Sequence, residues 1–286
     1  RAVLLGSGSY PLIIRYWLEN LKLWEHRIDK VYLAVDNYDD PSYGEFLQKK
    51  IKDNPKIILL ENCRKWPDSY ADAYKTSKED LFLIMHDDTY IYDSNIVDEG
   101  FYFAEQGKVV TPLHEIYSPK PKIESMLRKK YTGIFPLTTK VQKGNIGGWE
   151  GFSFLLYLIF ISRENMDKTS LNFNGWESPT YKESLGAADT GFQFMLDLLD
   201  HKVEIYPIPR YDPNYSDGPY IHLQNIGNTI PELIEKDEPL SPNWDKNVLK
   251  QKLDWVDKFL AVDDYHEIPD FYNKAVKRVK YLRSLL

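Results

Sequence analysis

The first third of the chain alternates short β-rich apolar runs with stretches of helical periodicity, and no other feature limits the possible folds as sharply. The runs fall at residues 2–5, 31–35, 57–60 and 81–85. They are short and rich in Val, Ile and Leu, as strands covered on both faces of a parallel sheet are. Between the first two, residues 11–23 place Ile14, Leu18 and Leu21 at helical spacing. Pro11 suits the first turn of that helix, where a missing N–H goes unnoticed. Residues 68–77 read as a second helix. Strand, helix and strand in succession build βαβ units, so the expected class is α/β with a mainly parallel sheet flanked by helices.

In open sheets of this kind ligands sit beyond the carboxyl ends of the strands. Each run ends in polar residues: Gly6-Ser7-Gly8-Ser9, Asp36-Asn37, Glu61-Asn62 and His86-Asp87-Asp88. The last is the most demanding. Two adjacent carboxylates repel one another unless a cation or hydrogen-bond donors offset their charge. Hard divalent ions such as Mg²⁺ and Mn²⁺ take oxygen ligands, commonly one or two carboxylates completed by phosphate and water. The alternative is that the pair only caps the following helix or turn.

The second half changes character. Residues 119–143 form a Pro-spaced, basic excursion, followed by an apolar strand near 154–161, a loop with Gly175-Trp176-Glu177, a helix at about 188–199 and a strand at 202–208. From Arg210 the chain is irregular, and a helical tail begins near Asn247. A chain of 286 residues that is 43% apolar can bury the core of one sizeable domain with an appendage, which excludes disordered and fibrous classes. The expected division is a main domain over 1–225, in halves of 1–110 and 111–225, with an extension over 226–286. A net charge of -7 gives no overall cationic field for nucleic acid. Cys63 is the only thiol, which fits a reducing compartment. The longest apolar run, 152–161, is about half of the ~20 residues a spanning helix needs. No signal-peptide pattern opens the sequence, Arg1 in place of Met suggests that a start or a tag is missing, and a soluble, cytoplasmic protein is expected.

The order of these residues resembles that of the GT-A fold glycosyltransferases, and within them the group similar to glycosyltransferase family 2. The likeness runs over roughly residues 1 to 225. It rests on Asp36 after the second strand, the helix opening at Asp68, and His86-Asp87-Asp88 after the fourth strand. Further on it rests on Gly147-Gly148-Trp149, on Gly186-Ala187-Ala188-Asp189 before a helix, and on His222. The resemblance implies a Rossmann-like GT-A sheet and an Mn²⁺ or Mg²⁺ ion held by Asp88, His222 and His86. It also implies a nucleotide-sugar donor, UDP-linked, contacting Gly6, Ser7, Gly8, Asp36, Asp68, Asp87, Gly147, Gly148 and Trp149. Asp189 takes the place of the base that abstracts the acceptor proton in an inverting transfer. The departure is His86, which stands where the first acid of the metal motif is commonly found.

For the acceptor, Lys120, Lys122, Arg128, Lys129, Lys130, Lys140 and Lys143 against the single acid Glu124 mark a locally basic stretch. It suits a phosphate-bearing acceptor (DNA carrying hydroxymethylated bases, a lipid phosphate or an anionic glycan) or else forms a solvated loop. Lys129, Lys130, Trp176 and Glu177 are the candidate acceptor contacts. In the tail, Val276, Val279, Leu282 and Leu286 form a stripe that either packs on the domain or lies peripherally on an anionic membrane. Two rival readings are a nucleotidyltransferase and a non-catalytic nucleotide-sugar or glycan-binding module. The first is disfavoured because Gly6-Ser7-Gly8-Ser9 has no Lys or Arg until Arg15.

Overall fold

The apolar runs become strands because alternate residues of each are claimed by two separate cores. The structure, a computed structural model, describes residues 1–7, 11–35, 41–60, 63–64, 66–114, 153–154, 156–173, 191–208, 218–223, 233–234, 245–262 and 269–286. Strands β1 (Ala2–Ser7), β2 (Lys30–Val35), β3 (Ile57–Leu60) and β4 (Leu81–His86) pair in parallel, with β1 between β2 and β4. Val3, Leu5, Val31, Leu33, Leu83 and Met85 face one core, and Ala2, Leu4, Tyr32, Phe82 and Ile84 face the other. This two-residue period fixes the register, because a slip by one residue would exchange the faces.

Antiparallel strands extend the sheet beyond β4. β8 (Leu158–Ser162) pairs with β4, β6 (Val109–His114) pairs with β8 and with β7 (Ser153–Phe154), and β9 (Ile205–Ile208) runs parallel to β6. The result is an eight-stranded, mixed, mainly parallel sheet in the order β3-β2-β1-β4-β8-β6-β7, with β9 attached to β6. It has the α/β, Rossmann-like character expected. A separate ribbon joins β5 (Thr89–Ile91) to β10 (Tyr220–His222).

Helices α1 (Pro11–Leu21), α2 (Pro41–Ile51) and α4 (Asn95–Glu105) cover the first core with α7 (Lys246–Leu260) and α8 (Pro269–Arg283). α3 (Ser69–Thr76), the single turn α5 (Arg163–Met166) and α6 (Phe192–Asp200) cover the second. α4 approaches the sheet so closely that a Cβ on Gly100 would lie 2.5 Å from the Phe160 ring. α7 is capped by Asp245, whose carboxylate accepts from the N–H groups of Asn247 and Val248.

Several expected boundaries move. The run at 154–161 is divided between β7 and β8, with residues 156 and 157 in a turn, so that Tyr157 faces the first core. β9 begins at Ile205 rather than at Lys202, which adopts a positive φ of 57° on leaving α6. α6 starts at Phe192 behind Gly191, whose φ of 88° suits glycine. The tail is two helices. On α8 the buried face is Ala275, Arg278, Val279 and Leu282, while Val276 and Leu286 are exposed, which corrects the expected stripe. The helix packs against α7, so Val279 and Leu282 belong to the core. α2, α4, β5, β6 and β10 went unread in the sequence. Among the described residues no helix is long and apolar enough to cross a membrane.

Candidate metal centre

The centre forms where β4 runs out and the chain turns into β5. His86 is the last residue of β4 and lies opposite Gly6 of β1. The Asp87 N–H donates to the Gly6 carbonyl at 3.3 Å, which carries the β1–β4 ladder one residue past the strand. Asp87 and Asp88 make the turn itself. β10 then lies along β5 with His222 opposite Thr89, and the Leu223 N–H donates to the Asp88 carbonyl at 3.0 Å. Backbone pairing thus delivers a histidine from far along the chain to the side of Asp88.

Asp88 Oδ1 lies 3.4 Å from His222 Nε2 and 3.8 Å from His86 Nδ1. One ligand atom from each of the three residues falls within 4.8 Å of the others. Asp88 and His222 are 6% and 8% exposed, yet neither Asp88 Oδ1 nor His222 Nδ1 has a hydrogen-bond partner among the described residues. A buried carboxylate oxygen left this way costs about 1–3 kcal/mol or more unless something else satisfies it. Burial pushes the Asp88 carboxyl up, but the adjoining His222 and His86 outweigh burial and hold it below the ordinary carboxylate range. The group is therefore an anion facing two imidazoles. One carboxylate oxygen and two ring nitrogens suit a divalent transition ion, and the orphaned Oδ1 is the observation that such an ion would account for.

Aromatic rings fix the imidazoles. Tyr157 stacks on His222 with centroids 4.0 Å apart and planes within 7°. Trp66 meets His86 edge-on at 5.3 Å, and Tyr70 lies parallel to it within 8° at 6.3 Å. The Tyr70 hydroxyl donates to the Met85 carbonyl at 3.0 Å, so its ring is itself anchored. Burial pushes the Tyr70 phenol well above its usual range, with Asp87 and Asp88 adding to the effect. A Cβ on Gly6 would lie 2.9 Å from the Tyr70 ring, so glycine is needed here to admit that ring.

Of the expected site residues, His86, Asp88 and His222 converge. Asp87 is buried beside them, but its carboxylate is not one of the three clustered groups. Asp68 stands at the N-terminus of α3 without a side-chain cap hydrogen bond, its carboxylate 4.0 Å from Arg64. Ser7 closes β1. Gly8, Asp36, Lys129, Lys130, Gly147, Gly148, Trp149, Trp176, Glu177 and Asp189 lie outside the described residues. Sequence reasoning missed Tyr157, Tyr70 and Trp66 as ring supports. Only the polar tip of Tyr157 inside an apolar run hinted at a role.

No protein-family model and no curated protein sequence matches the chain. Solved structures do. One is a mannosyltransferase from Pyrobaculum calidifontis in complex with GDP-Man and Mn2+, at 11% identity and a TM-score of 0.49 over 99% of this chain and 74% of that one. A second is a 4-diphosphocytidyl-2C-methyl-D-erythritol synthase from Anaerococcus prevotii, at 9% identity and a TM-score of 0.46 over 73% and 87%. A third is mouse xyloside xylosyltransferase 1 in its apo form, at 10% identity and a TM-score of 0.41 over 73% and 84%.

Proposed function

We propose that this chain is a metal-dependent glycosyltransferase that moves a sugar from a nucleotide-diphosphate donor, a UDP-sugar, to an acceptor hydroxyl with inversion. The observation that carries the reading is the convergence of His86, Asp88 and His222 at the carboxyl end of β4, beside the end of β1. Polar groups collected at that edge of a mainly parallel sheet face the crevice where phosphate-bearing ligands bind.

A divalent ion held by these three residues would shield the charge that develops on the departing nucleoside diphosphate. Asp88 supplies the anionic ligand, and His86 and His222 supply ring nitrogens. Tyr157 and Trp66 keep the imidazole rings in place. Asp189, three residues ahead of α6 in the sequence, is assigned the role of taking the acceptor proton as the hydroxyl attacks the anomeric carbon.

A thermal-shift panel of nucleotide sugars on chelator-treated protein, with and without Mn²⁺, tests the reading. A metal-dependent shift for one donor, followed by release of its nucleoside diphosphate, is expected. Release of pyrophosphate from a nucleoside triphosphate and a sugar phosphate would instead make the chain a nucleotidyltransferase and overturn it.

A further inference from the structure

The two C-terminal helices carry most of the large apolar side chains left open to solvent. Of the eight that stand exposed among the described residues, Val248, Val276, Tyr281, Leu285 and Leu286 lie on α7 and α8 or directly after them. Scattered singly, such side chains need no explanation. On α8 they are not scattered. The Ser284 N–H donates to the Lys280 carbonyl and the Leu285 N–H to the Leu282 carbonyl, so the helical turn continues through Leu285. Lys274, Lys277, Tyr281 and Leu285 then follow one another at spacings of three and four, which places them on a single exposed ridge, with Val276 and Lys280 beside it.

The charge of this face runs against that of the molecule. The chain carries a net charge of -7, yet the exposed residues of α8 from Asn273 onward include three lysines and no acid. The two arginines of the helix are spent inside the fold. Arg278 Nε donates to the Leu233 carbonyl at 3.1 Å, and Arg283 pairs with Asp254, at 2.8 Å, and with Asp257, both on α7. Ala275, Val279 and Leu282 hold the opposite face of α8 in the core, so the lysine face is presented outward by a helix that is already docked.

Lysines interleaved with an aromatic and aliphatic side chains suit one kind of surface. An anionic bilayer attracts the ammonium groups within a Debye length. Lysine stems lie along apolar surface while their heads stay in water, and a tyrosine ring settles where one end is apolar and the other wet. A polyanion such as nucleic acid would use the lysines but would leave Val276, Tyr281 and Leu285 without a function.

We propose that the exposed face of α8 is a peripheral docking surface for an anionic lipid bilayer, with Lys277 and Lys280 supplying the attraction and Tyr281 and Leu285 entering the headgroup layer. The inference is independent of the activity proposed above, since none of these residues belongs to the metal centre.

Flotation of the full chain with phosphatidylcholine vesicles, with and without about one-third phosphatidylserine, tests it. Binding is expected to the anionic vesicles alone, and it should be lost in about 1 M salt, where charges are screened beyond ~3 Å. Lys277→Glu with Lys280→Glu should weaken binding by at least about tenfold. Tyr281→Ser with Leu285→Ser should weaken it about threefold or more, because the apolar contact disappears while the charges remain. All four side chains are exposed, so circular dichroism and melting temperature should match the wild type. No flotation of the wild-type chain at low salt, or equal flotation with neutral vesicles, would overturn the proposal. So would binding to duplex DNA as tight as to the vesicles and indifferent to the Tyr281 and Leu285 exchanges, which would make the face a general polyanion surface. A dimer in sedimentation that those exchanges dissociate would give the face to a second copy of the chain and also overturn it.

Discussion

Two buried polar groups flank the three-residue strand β5, and they are treated in opposite ways. At its far end Asn20, 5% exposed, bonds through both the nitrogen and the oxygen of its amide. Its Nδ2 donates to the Ile91 carbonyl at 2.8 Å, and its Oδ1 accepts from the Ile91 N–H at 2.8 Å and from Trp24 Nε1 at 3.2 Å. At the near end Asp88 is as deeply buried and carries a charge, yet its Oδ1 accepts no hydrogen bond. A polar group kept for stability closes its own hydrogen bonds, because leaving them open costs free energy. Thr89 Oγ1 and the Tyr90 hydroxyl of β5 are also open, so what sets Asp88 apart is a buried carboxylate oxygen that faces two imidazoles.

Exchanging the two ends separates these roles most strongly. Asp88→Asn should lower metal affinity and nucleotide-sugar turnover by at least ~100-fold, the scale seen when a key electrostatic or metal-supporting group is lost. Its apo-protein melting temperature should fall only modestly, by the attraction of His222 and His86 for the lost charge. Asn20→Ala should do the opposite. It leaves the Ile91 N–H and carbonyl and the Trp24 indole without partners, a loss of roughly 2–3 kcal/mol by urea unfolding. Its metal affinity should be unchanged. If Asp88→Asn unfolds the chain while Asn20→Ala abolishes metal binding, the comparison is broken.

Tyr157 gives a smaller effect of the first kind. Tyr157→Leu keeps a buried apolar side chain but removes the ring stacked on His222. Metal affinity should fall about tenfold, at the low end of what outer supports of a metal ligand contribute. Mn²⁺ titration of the variant measures it, and unchanged affinity would show that β10 alone holds His222 in place.

How much of this was legible depends on sequence distance. The parallel strands could be read because each carries its own apolar pattern, and β3 begins and ends where the pattern does. Asp88 could be read because two acids at a strand end raise an electrostatic question by themselves. His222 was reached only through resemblance, since nothing in Tyr220-Ile221-His222 says that it will pair with Thr89. Tyr157 was hidden in the apolar run of which it is part. Gly6 was assigned to the donor through resemblance, and its packing role against the Tyr70 ring was not legible in the sequence. α2 escaped notice because its sequence, PSYGEFLQKKI, holds few apolar residues; among its described side chains Phe46, Leu47 and Ile51 reach the core.

Tyr74 sharpens the comparison from the satisfied side, with the smallest expected effect. Its hydroxyl donates to Asp167, and burial, reinforced by that bond, pushes its phenol up to about 12. An unfolded tyrosine titrates near 10. Because the folded value is raised, the neutral form contributes stability that is fully present below pH ~10 and is lost as pH rises toward the folded value. The urea midpoint of the wild-type chain should therefore decline between pH 10 and about 12. In Tyr74→Phe, which keeps the ring against Phe82 but cannot ionise, that decline should be shallower. The Mn²⁺ affinity of Tyr74→Phe at neutral pH should equal that of the wild type, because this phenol, like Asn20, bonds within the fold and leaves nothing for a ligand. An equal decline in both proteins would remove Tyr74 from the set of groups whose burial is tied to folding.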